Sequence, residues 1–456
     1  VFRRDGRIFR AIDSATTQSL TKLEQAGILP RWIESGKIAG TRFVVEPGLK
    51  TTLSGEHPPF ESFLEHDPIR DLTFPYEWSV SMIADAGIAT LDLQEGALAA
   101  GCSLKDATAF NVQFVRGRPV FIDLGSFEQP ARLDLWFALG QFNQMFLFPL
   151  LLCIHHGWDP RAYFLPRLSG RPVEDVARVF GPMERWSPGV LFDVTLPLLL
   201  NKATQGRTQV DRALLERPNP DTRPQIMQLG RLRTRLAKLA SAYRPAGTWS
   251  SYEKTCTYSD SAEDTKKTLV RRFLEARKPR RVLDLGCNTG DYSRIAAATG
   301  ADVISADSDH DAIEILYRRL RAEPASITPM VLDIMSPSPG VGFLNRERPA
   351  FLERLEVDCV FALALLHHLL ISGNLSLEAS RDLLHALTRD LLVLEFVPTD
   401  DPMFRRMLQF RRDLYSGIDL AACKQVFAER FQLLDEQPIP GSPRTLLFYS
   451  RHDARP

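Results

Sequence analysis

Residues 282–293 read VLDLGCNTGDYS, and the order of residue types in this stretch decides the fold. An apolar run of Val282, Leu283 and Leu285 fits a buried strand, with the acid Asp284 near its end. A turn built from Gly286, Asn288 and Gly290 follows, and then a helix-compatible stretch. The unit therefore reads strand, tight loop, helix, the first βα turn of a nucleotide-binding sheet. Glycine lets a backbone approach a ligand closely, and asparagine is among the few other residues that tolerate a positive φ. A dinucleotide fingerprint would place glycine at 291, where this chain has Asp291. A carboxylate at a helix N-terminus repels a pyrophosphate but accepts a ligand carrying positive charge. S-adenosylmethionine, with its sulfonium and α-amino groups, is such a ligand, so the loop favours a methyl donor over NAD.

The downstream pattern supports a doubly wound sheet. ADVISAD (301–307) is mostly apolar and ends in Asp307, where an acid at the tip of a second strand accepts hydrogen bonds from ribose hydroxyls. VLDIM (331–335) places Asp333 at the end of a third strand, in position for the exocyclic amine of adenine. DCVFALALLHHLL (358–370) and LLVLEFV (391–397) read as a fourth and a fifth strand. FQLL (431–434) and TLLFYS (445–450), close enough to pair antiparallel, complete a count of seven. The donor set expected from the residues is Asp284, Gly286, Asn288, Gly290, Asp307 and Asp333.

Residues from about 250 to 451 resemble a class I S-adenosylmethionine-dependent methyltransferase. More narrowly, LDLGCNTGDYS, SPSPGVG, ALALLHHL and LEFVPTDDPM resemble a bacterial family that includes rhizobial host-specific nodulation proteins. The resemblance implies a Rossmann-like α/β fold and S-adenosylmethionine as cofactor, and leaves the acceptor open. Asn288 departs from the commonest loop of that class, standing where the middle glycine is usual.

At 456 residues the chain exceeds one typical domain. Lys plus Arg equals Asp plus Glu, 56 each, so no global field draws it to long nucleic acid or an anionic membrane. Six scattered cysteines with no CxxC pair argue against structural zinc and a disulfide framework, and fit a reducing cytoplasm. The most hydrophobic stretch, 135–154, contains Gln141, Asn143, Gln144 and Pro149 and reads as a buried helix rather than a membrane span. A Pro- and charge-rich seam at 216–224 precedes an Arg/Leu helix. The expected division is therefore an N-terminal domain at 1–215, a linker with a connecting helix at 216–250, and the methyltransferase domain at 251–456. The basic face of the connecting helix (Arg231, Arg235, Lys238) is expected to be solvated.

The N-terminal half carries a second constellation. LKDATAFNVQF (104–114) is followed by a Gly-Arg-Pro turn and by VFIDLGSFE (120–128). Four residues separate Asp106 from Asn111; an apolar hairpin then leads to Asp-Leu-Gly at 123–125. This resembles the catalytic loop and metal-binding triplet of the protein-kinase-like fold, with TFPYEW (73–78) as an interlobe hinge. The resemblance implies an α+β domain, Asp106 as base, Asn111 and Asp123 as magnesium ligands, and ATP with magnesium as ligand. Neither a glycine-rich phosphate loop nor an APE-type ending is present, and neither Lys37 nor Lys50 stands in the pattern of a phosphate-anchoring lysine. A degenerate module is the preferred reading. An Asx-capped loop feeding a hairpin is the structural alternative.

Methyl transfer from a sulfonium needs alignment, exclusion of water and removal of the acceptor's proton where it has one. His367 and His368 follow the fourth strand at the carboxyl edge of the sheet and are the candidate catalytic bases; adjacent residues diverge, so one at most faces the reacting centre. Capping or lining by the same residues is the structural alternative. Glu395 ends the fifth strand and either binds a polar group or pairs with an arginine such as Arg405. SPSPGVGFLNRER (336–348) is long for an αβ connection and suggests a lid, and Trp249, Tyr252 and Tyr258 suggest a cap over the cofactor. No Asn-Pro-Pro-Tyr-like tetrad and no basic surplus point to a nucleobase. A small molecule, glycan or carrier-bound intermediate remains, with oxygen as the acceptor atom if a histidine is the base. A bifunctional methyltransferase and small-molecule kinase, and a non-catalytic cofactor-sensing scaffold, are the competing functions.

Overall fold

Alternation along the strand Arg281–Leu285 orders the whole C-terminal half. Val282 and Asp284 point to one face of the sheet, Leu283 and Leu285 to the other, and neighbouring strands continue both rows in register. The computed structural model describes residues 1–204, 217–246, 260–407 and 417–452. It divides into two units, Val1–Arg244 and Pro245–Pro456.

In the second unit, seven strands form one sheet. In chain order they are Arg281–Leu285, Asp302–Asp307, Ile327–Val331, Cys359–Ala362, Leu391–Phe396, Phe431–Pro438 and Thr445–Arg451, and the spatial order is 3-2-1-4-5-7-6. The first five pair in parallel, and the last two form an antiparallel hairpin against the fifth. The order reverses between the first and fourth strands, the switch point at which open α/β sheets bind ligands outside their carboxyl ends. Both faces are covered by helices, so the strands read as near-continuous apolar runs. One face packs Leu283, Leu285, Val360 and Leu392 in a core with Leu369, Leu384 and Phe427. The other packs Val282, Val303, Phe361 and Val393 with Val270, Leu274, Ile313 and Leu316. Trp249, Tyr252 and Tyr258 lie outside the described residues.

The first unit opens on a four-stranded antiparallel sheet with spatial order Phe2–Arg4, Arg7–Ile12, Ser62–His66, Thr41–Phe43. A buried connection follows in which the Trp78 indole donates to Thr73 Oγ1 (2.9 Å) and Gln113 Oε1 accepts from the Thr73 amide (2.9 Å). The helix Val80–Leu98 then runs through the core. The hairpin expected around Arg116–Arg118 is present, with Val112–Val115 paired to Arg118–Phe121. The apolar stretch forms a helical run over Leu139–His156, π-wound at Asn143–Leu147. Among the described residues no helix is long and apolar enough to cross a membrane.

The helix Arg223–Ala242 differs from its reading as a connector: it packs on Val80–Leu98 inside the first unit. Its basic face is not simply solvated. Arg235 Nε meets the buried carboxylate of Asp193 at 2.7 Å, and Arg233 reaches Asp92 and Glu95. The helix buries Leu229, Leu232, Leu236 and Leu239 against the unit, and the buried Asp193 carboxylate finds its cation on the same element. Gln94 anchors the same seam, donating through Nε2 to Ser103 Oγ (2.9 Å) and Gln225 Oε1 (2.6 Å) and accepting from the Leu104 amide (2.7 Å). Gln94→Ala strands these buried groups and is expected to cost about 2–4 kcal/mol. Urea unfolding of the full chain followed at the first-unit transition measures this; an unchanged midpoint would mean that the helix is not docked as described.

Candidate functional site

The first strand leaves the sheet at Leu285, and the chain must turn within a few residues into the helix Asp291–Ala298. It does so through three left-handed residues: Gly286 (φ +72°), Asn288 (φ +49°) and Gly290 (φ +85°). Asn288 thus adopts the conformation a glycine would take at no cost. At Gly290 a Cβ would lie 2.5 Å from Leu316 Cδ1, so glycine is required by the helix His310–Ala322 pressed against the loop. At Gly286 a Cβ would come to 3.3 Å from Leu365 Cδ1, which crowds this position from within the protein.

Asp307 organises the loop. Its carboxylate accepts from the amides of Asn288 (2.8 Å) and Asp309 (2.8 Å), and its carbonyl accepts from the Leu332 amide (2.8 Å). Burial pushes its carboxyl upward, and the backbone donors pull against that shift. Beside it, Asn288 Oδ1 is buried with no hydrogen-bond partner among the described residues. Several other side-chain atoms are left in the same way; what distinguishes this one is its place in the left-handed loop beside the Asp307 carboxylate, where a donor from outside the chain could meet it. Asp284 lies one strand away. Ser293 Oγ donates to it (2.6 Å) and Ser305 Oγ donates to Ser293 (2.7 Å); burial pushes its carboxyl up to about 6. Asp333 stands two residues beyond the end of the third strand, exposed, and accepts from the Met335 amide (2.9 Å). Asp291 is offset by Arg319 (3.4 Å) and Lys267 (3.5 Å).

The two histidines do not diverge as the sequence leads one to expect: their rings lie side by side, centroids 4.3 Å apart, and differ in burial. His367 is 3% exposed, lies against Phe404, and has Nδ1 buried without a hydrogen-bond partner among the described residues. Burial, reinforced by His368 and Arg444, lowers its pKa to about 3. It is therefore neutral at physiological pH but a weak proton acceptor, which counts against it as the general base. His368 is only partly covered, and burial lowers its pKa as well. Between them and the loop, Ala364 carries a positive φ (+50°), a strained alanine at the end of the fourth strand.

Glu395 pairs with an arginine, as one of its two readings has it, and that arginine is Arg444. Glu395 is wholly buried, with Lys266 Nζ at 2.6 Å and Arg444 Nη1 at 3.3 Å, while Arg444 Nε bonds Asp401 at 2.8 Å. Lys266 comes from the helix Asp260–Arg277 and also lies 4.4 Å from the centre of the Tyr292 ring. Lys266, Arg444 and Asp401 are absent from the residues singled out in the sequence, because each reads as an ordinary surface charge. The connection after the third strand closes a short bridge at Val341 and Arg348 and exposes Phe343 and Leu344 at its tip, with Leu344 and Asn345 left-handed.

In the first unit, Asn111 and Asp123 converge across the hairpin. Asn111 Nδ2 donates to Ser126 Oγ (3.2 Å), which donates to Asp123 Oδ2 (2.5 Å). Asp123 Oδ1 is held by Arg10 of the four-stranded sheet. Asp106 is half-buried, and no hydrogen bond or ion pair among the described residues joins it to Asn111 or Asp123. No group of three His, Cys, Asp or Glu among the described residues is arranged to hold a metal ion. A magnesium ion on Asp123 would have to compete with the Arg10 guanidinium.

A methyltransferase domain family matches residues 260–379. Nodulation protein NoeA of Rhizobium meliloti (strain 1021) is 31% identical over 467 residues, covering 99% of this chain and 94% of that protein. Among solved structures, N-methyltransferase NodS from Bradyrhizobium japonicum WM9 is 15% identical over 43% of this chain and 99% of its own, with a TM-score of 0.32. Magnesium protoporphyrin IX methyltransferase (ChlM) from Synechocystis PCC 6803 with bound SAM is 17% identical over 42% of this chain and 80% of its own, with a TM-score of 0.30.

Two buried groups give opposite pH signatures. The Asp284 carboxyl binds its proton more tightly folded than unfolded, so the stability it contributes in acid is lost as pH rises through about 6. Asp284→Asn should therefore stabilise the second unit at pH 8, by up to about 3 kcal/mol, and lose that advantage by about pH 4. His367 binds its proton more weakly folded, so the wild type loses stability as pH falls below about 6.5, and His367→Leu should be spared that loss. Urea unfolding at pH 4, 6 and 8 tests both; differences that do not vary with pH would show that neither group titrates as described.

Proposed function

The chain belongs to the family of the nodulation protein NoeA and is an S-adenosylmethionine-dependent methyltransferase, and from this we propose that it methylates an oxygen of a small molecule, glycan or carrier-bound intermediate. The observation that carries the reading is the loop at the switch point. A buried orphan acceptor on Asn288, the Asp307 carboxylate and two left-handed glycines lie together at the carboxyl edge of the sheet. When bound there, the donor supplies an activated methyl group. The chain's own residues orient and enclose it: Asp307 takes the ribose hydroxyls, Asn288 and the glycine backbone line the close approach, Asp333 takes the adenine amine, and Asp284 answers the positive charge at the methionine end. His368, less enclosed than His367, takes the hydrogen bond from the acceptor hydroxyl. The hairpin tip at Phe343–Leu344 is the lid over the acceptor.

We read the first unit as a degenerate kinase-like module that serves substrate binding or regulation. Arg10 on Asp123 is the specific observation, because it places a fixed positive charge on the carboxylate that phosphoryl transfer would need for its metal. The bifunctional alternative requires that pair to open.

Incubation with isotopically labelled donor and a fractionated cell extract identifies the acceptor, and label is expected in a small-molecule or glycan fraction rather than in nucleic acid. Asp307→Ala should weaken donor binding by about 1.5–3 kcal/mol, because a charged acceptor of two hydroxyl hydrogen bonds is lost. Calorimetry with S-adenosylhomocysteine measures it, and an unchanged dissociation constant would remove Asp307 from the ribose role. For the first unit, magnesium and ATP are expected to give neither turnover nor thermal stabilisation. Measurable magnesium-dependent hydrolysis would favour the bifunctional enzyme.

A further inference from the structure

The residues gathered around the loop are suited to most of S-adenosylmethionine and fail one part of it. Asp284, Asp307 and Asp333 answer cationic or hydrogen-bond-donating groups, and none of them answers the donor's α-carboxylate. That group needs a cation near the methionine end. Among the described residues, Lys267, Arg319 and Lys266 are basic side chains in contact with the loop or with the start of the helix after it. Lys267 is held by Glu263 (2.8 Å) and Asp291 (3.5 Å) and remains 30% exposed. Arg319 bonds the Thr289 carbonyl (3.4 Å) and hydroxyl (3.2 Å) and Asp291 (3.4 Å) on the outer side, 40% exposed. Lys266 is the buried one: its side chain is 6% exposed, over the Tyr292 ring, with Nζ on Glu395.

Its position follows from the sheet. Asp284, Phe361 and Val393 share one row across the first, fourth and fifth strands, and Glu395 lies two residues beyond Val393, on the same face. The helix Asp260–Arg277 covers that face, with Val270 and Leu274 in its core. Lys266, one turn before Val270, thus reaches the carboxyl ends of the first and fifth strands together, and its charge is felt by Asp284. Four ionised groups, Lys266, Glu395, Arg444 and Asp401, are desolvated there. Such a network is weak evidence for stability, because the cost of stripping water from each ion offsets their attraction.

We propose that Lys266 is shared between two carboxylates: Glu395 holds it when the donor site is empty, and the α-carboxylate of S-adenosylmethionine takes it when the donor binds. The exchange relieves Glu395 of one of the cations that hold it and turns its carboxylate toward the acceptor edge in the donor-bound state. Tyr292, at the start of the helix after the loop, keeps the ammonium in place through the swing, since its ring face attracts the cation in either position. Lys266 is thereby a positioning and specificity residue, and the inference rests on the donor site assigned above.

The test compares ligands with and without the carboxylate, by calorimetry on the full chain. Wild type should bind S-adenosylmethionine and S-adenosylhomocysteine, and failure to bind either would overturn the donor site itself. Lys266→Met should weaken both by roughly 10–100-fold, as for loss of a charge-assisted hydrogen bond, while decarboxylated S-adenosylmethionine and 5′-methylthioadenosine stay within about threefold of wild type. Their retained binding is also the control for folding. Lys266→Arg should restore the preference for carboxylate-bearing ligands. Glu395→Gln removes the competitor and should tighten S-adenosylmethionine several-fold without affecting the decarboxylated ligand, which keeps the proposal testable if Lys266→Met does not fold. Equal losses for ligands with and without the carboxylate, or a Glu395→Gln variant that binds both less tightly, would overturn it.

Discussion

Carboxylates stripped of water at the carboxyl edge of the parallel sheet are the constraint on which the rest of this unit depends. A strand that ends beneath two helical layers offers its last side chains little solvent, and here those side chains include the buried Asp284 and Glu395 and the partly covered Asp307. Each buried charge needs donors or a cation at a cost that folding must recover elsewhere. Asp307 finds backbone amides, Asp284 finds a serine relay, and Glu395 finds Lys266 and Arg444. The three solutions differ in rigidity. Amides fixed by a left-handed loop cannot move away; a lysine on a long stem can.

The loop itself illustrates how conformation and chemistry are joined. Asp307 holds the Asn288 amide, which fixes Asn288 in its left-handed state and leaves the side-chain oxygen buried without a partner among the described residues. Leu316 and Leu365 crowd the two flanking glycines, so the turn is shaped by helices of its own unit and not by the glycines' freedom alone. Strain at Ala364, on the neighbouring strand end, belongs to the same edge. Conformations that cost energy cluster where a ligand is expected.

How far these features can be read from sequence depends on range. The number of strands and the left-handed loop are legible because alternation, apolar runs and turn residues act over a few positions, whereas two strand bounds are not: the third strand is Ile327–Val331 rather than 331–335, and the fourth stops at Ala362, with 366–370 helical. The Asn111–Asp123 meeting is legible for the same reason, since a tight hairpin is all that joins them. Lys266 is not, because on its helix it reads as one more charge beside Lys267, and its partner is on the fifth strand. Arg444 lies 49 residues from Glu395 and 43 from Asp401, and only the antiparallel return of the last strand brings them together. His367 looks like a base in sequence and becomes a buried neutral ring in the fold, because burial is a property of the packed core rather than of the residue. The helix Arg223–Ala242 reads as a connector since its partners Asp92, Glu95 and Asp193 are distant in the chain.

In the first unit the same electrostatics points away from phosphoryl chemistry. Arg10 and Ser126 answer Asp123 from inside the protein, so its carboxylate is already partnered. In the second unit the Asn288 side-chain oxygen has no partner among the described residues, and the account turns on its place beside Asp307. A crystal structure of the full chain with S-adenosylhomocysteine tests it most directly. The account predicts the ribose hydroxyls within hydrogen-bond distance of Asp307 and a ligand donor on Asn288 Oδ1. A ligand bound elsewhere on the chain, with Asn288 Oδ1 still unmet, would contradict it.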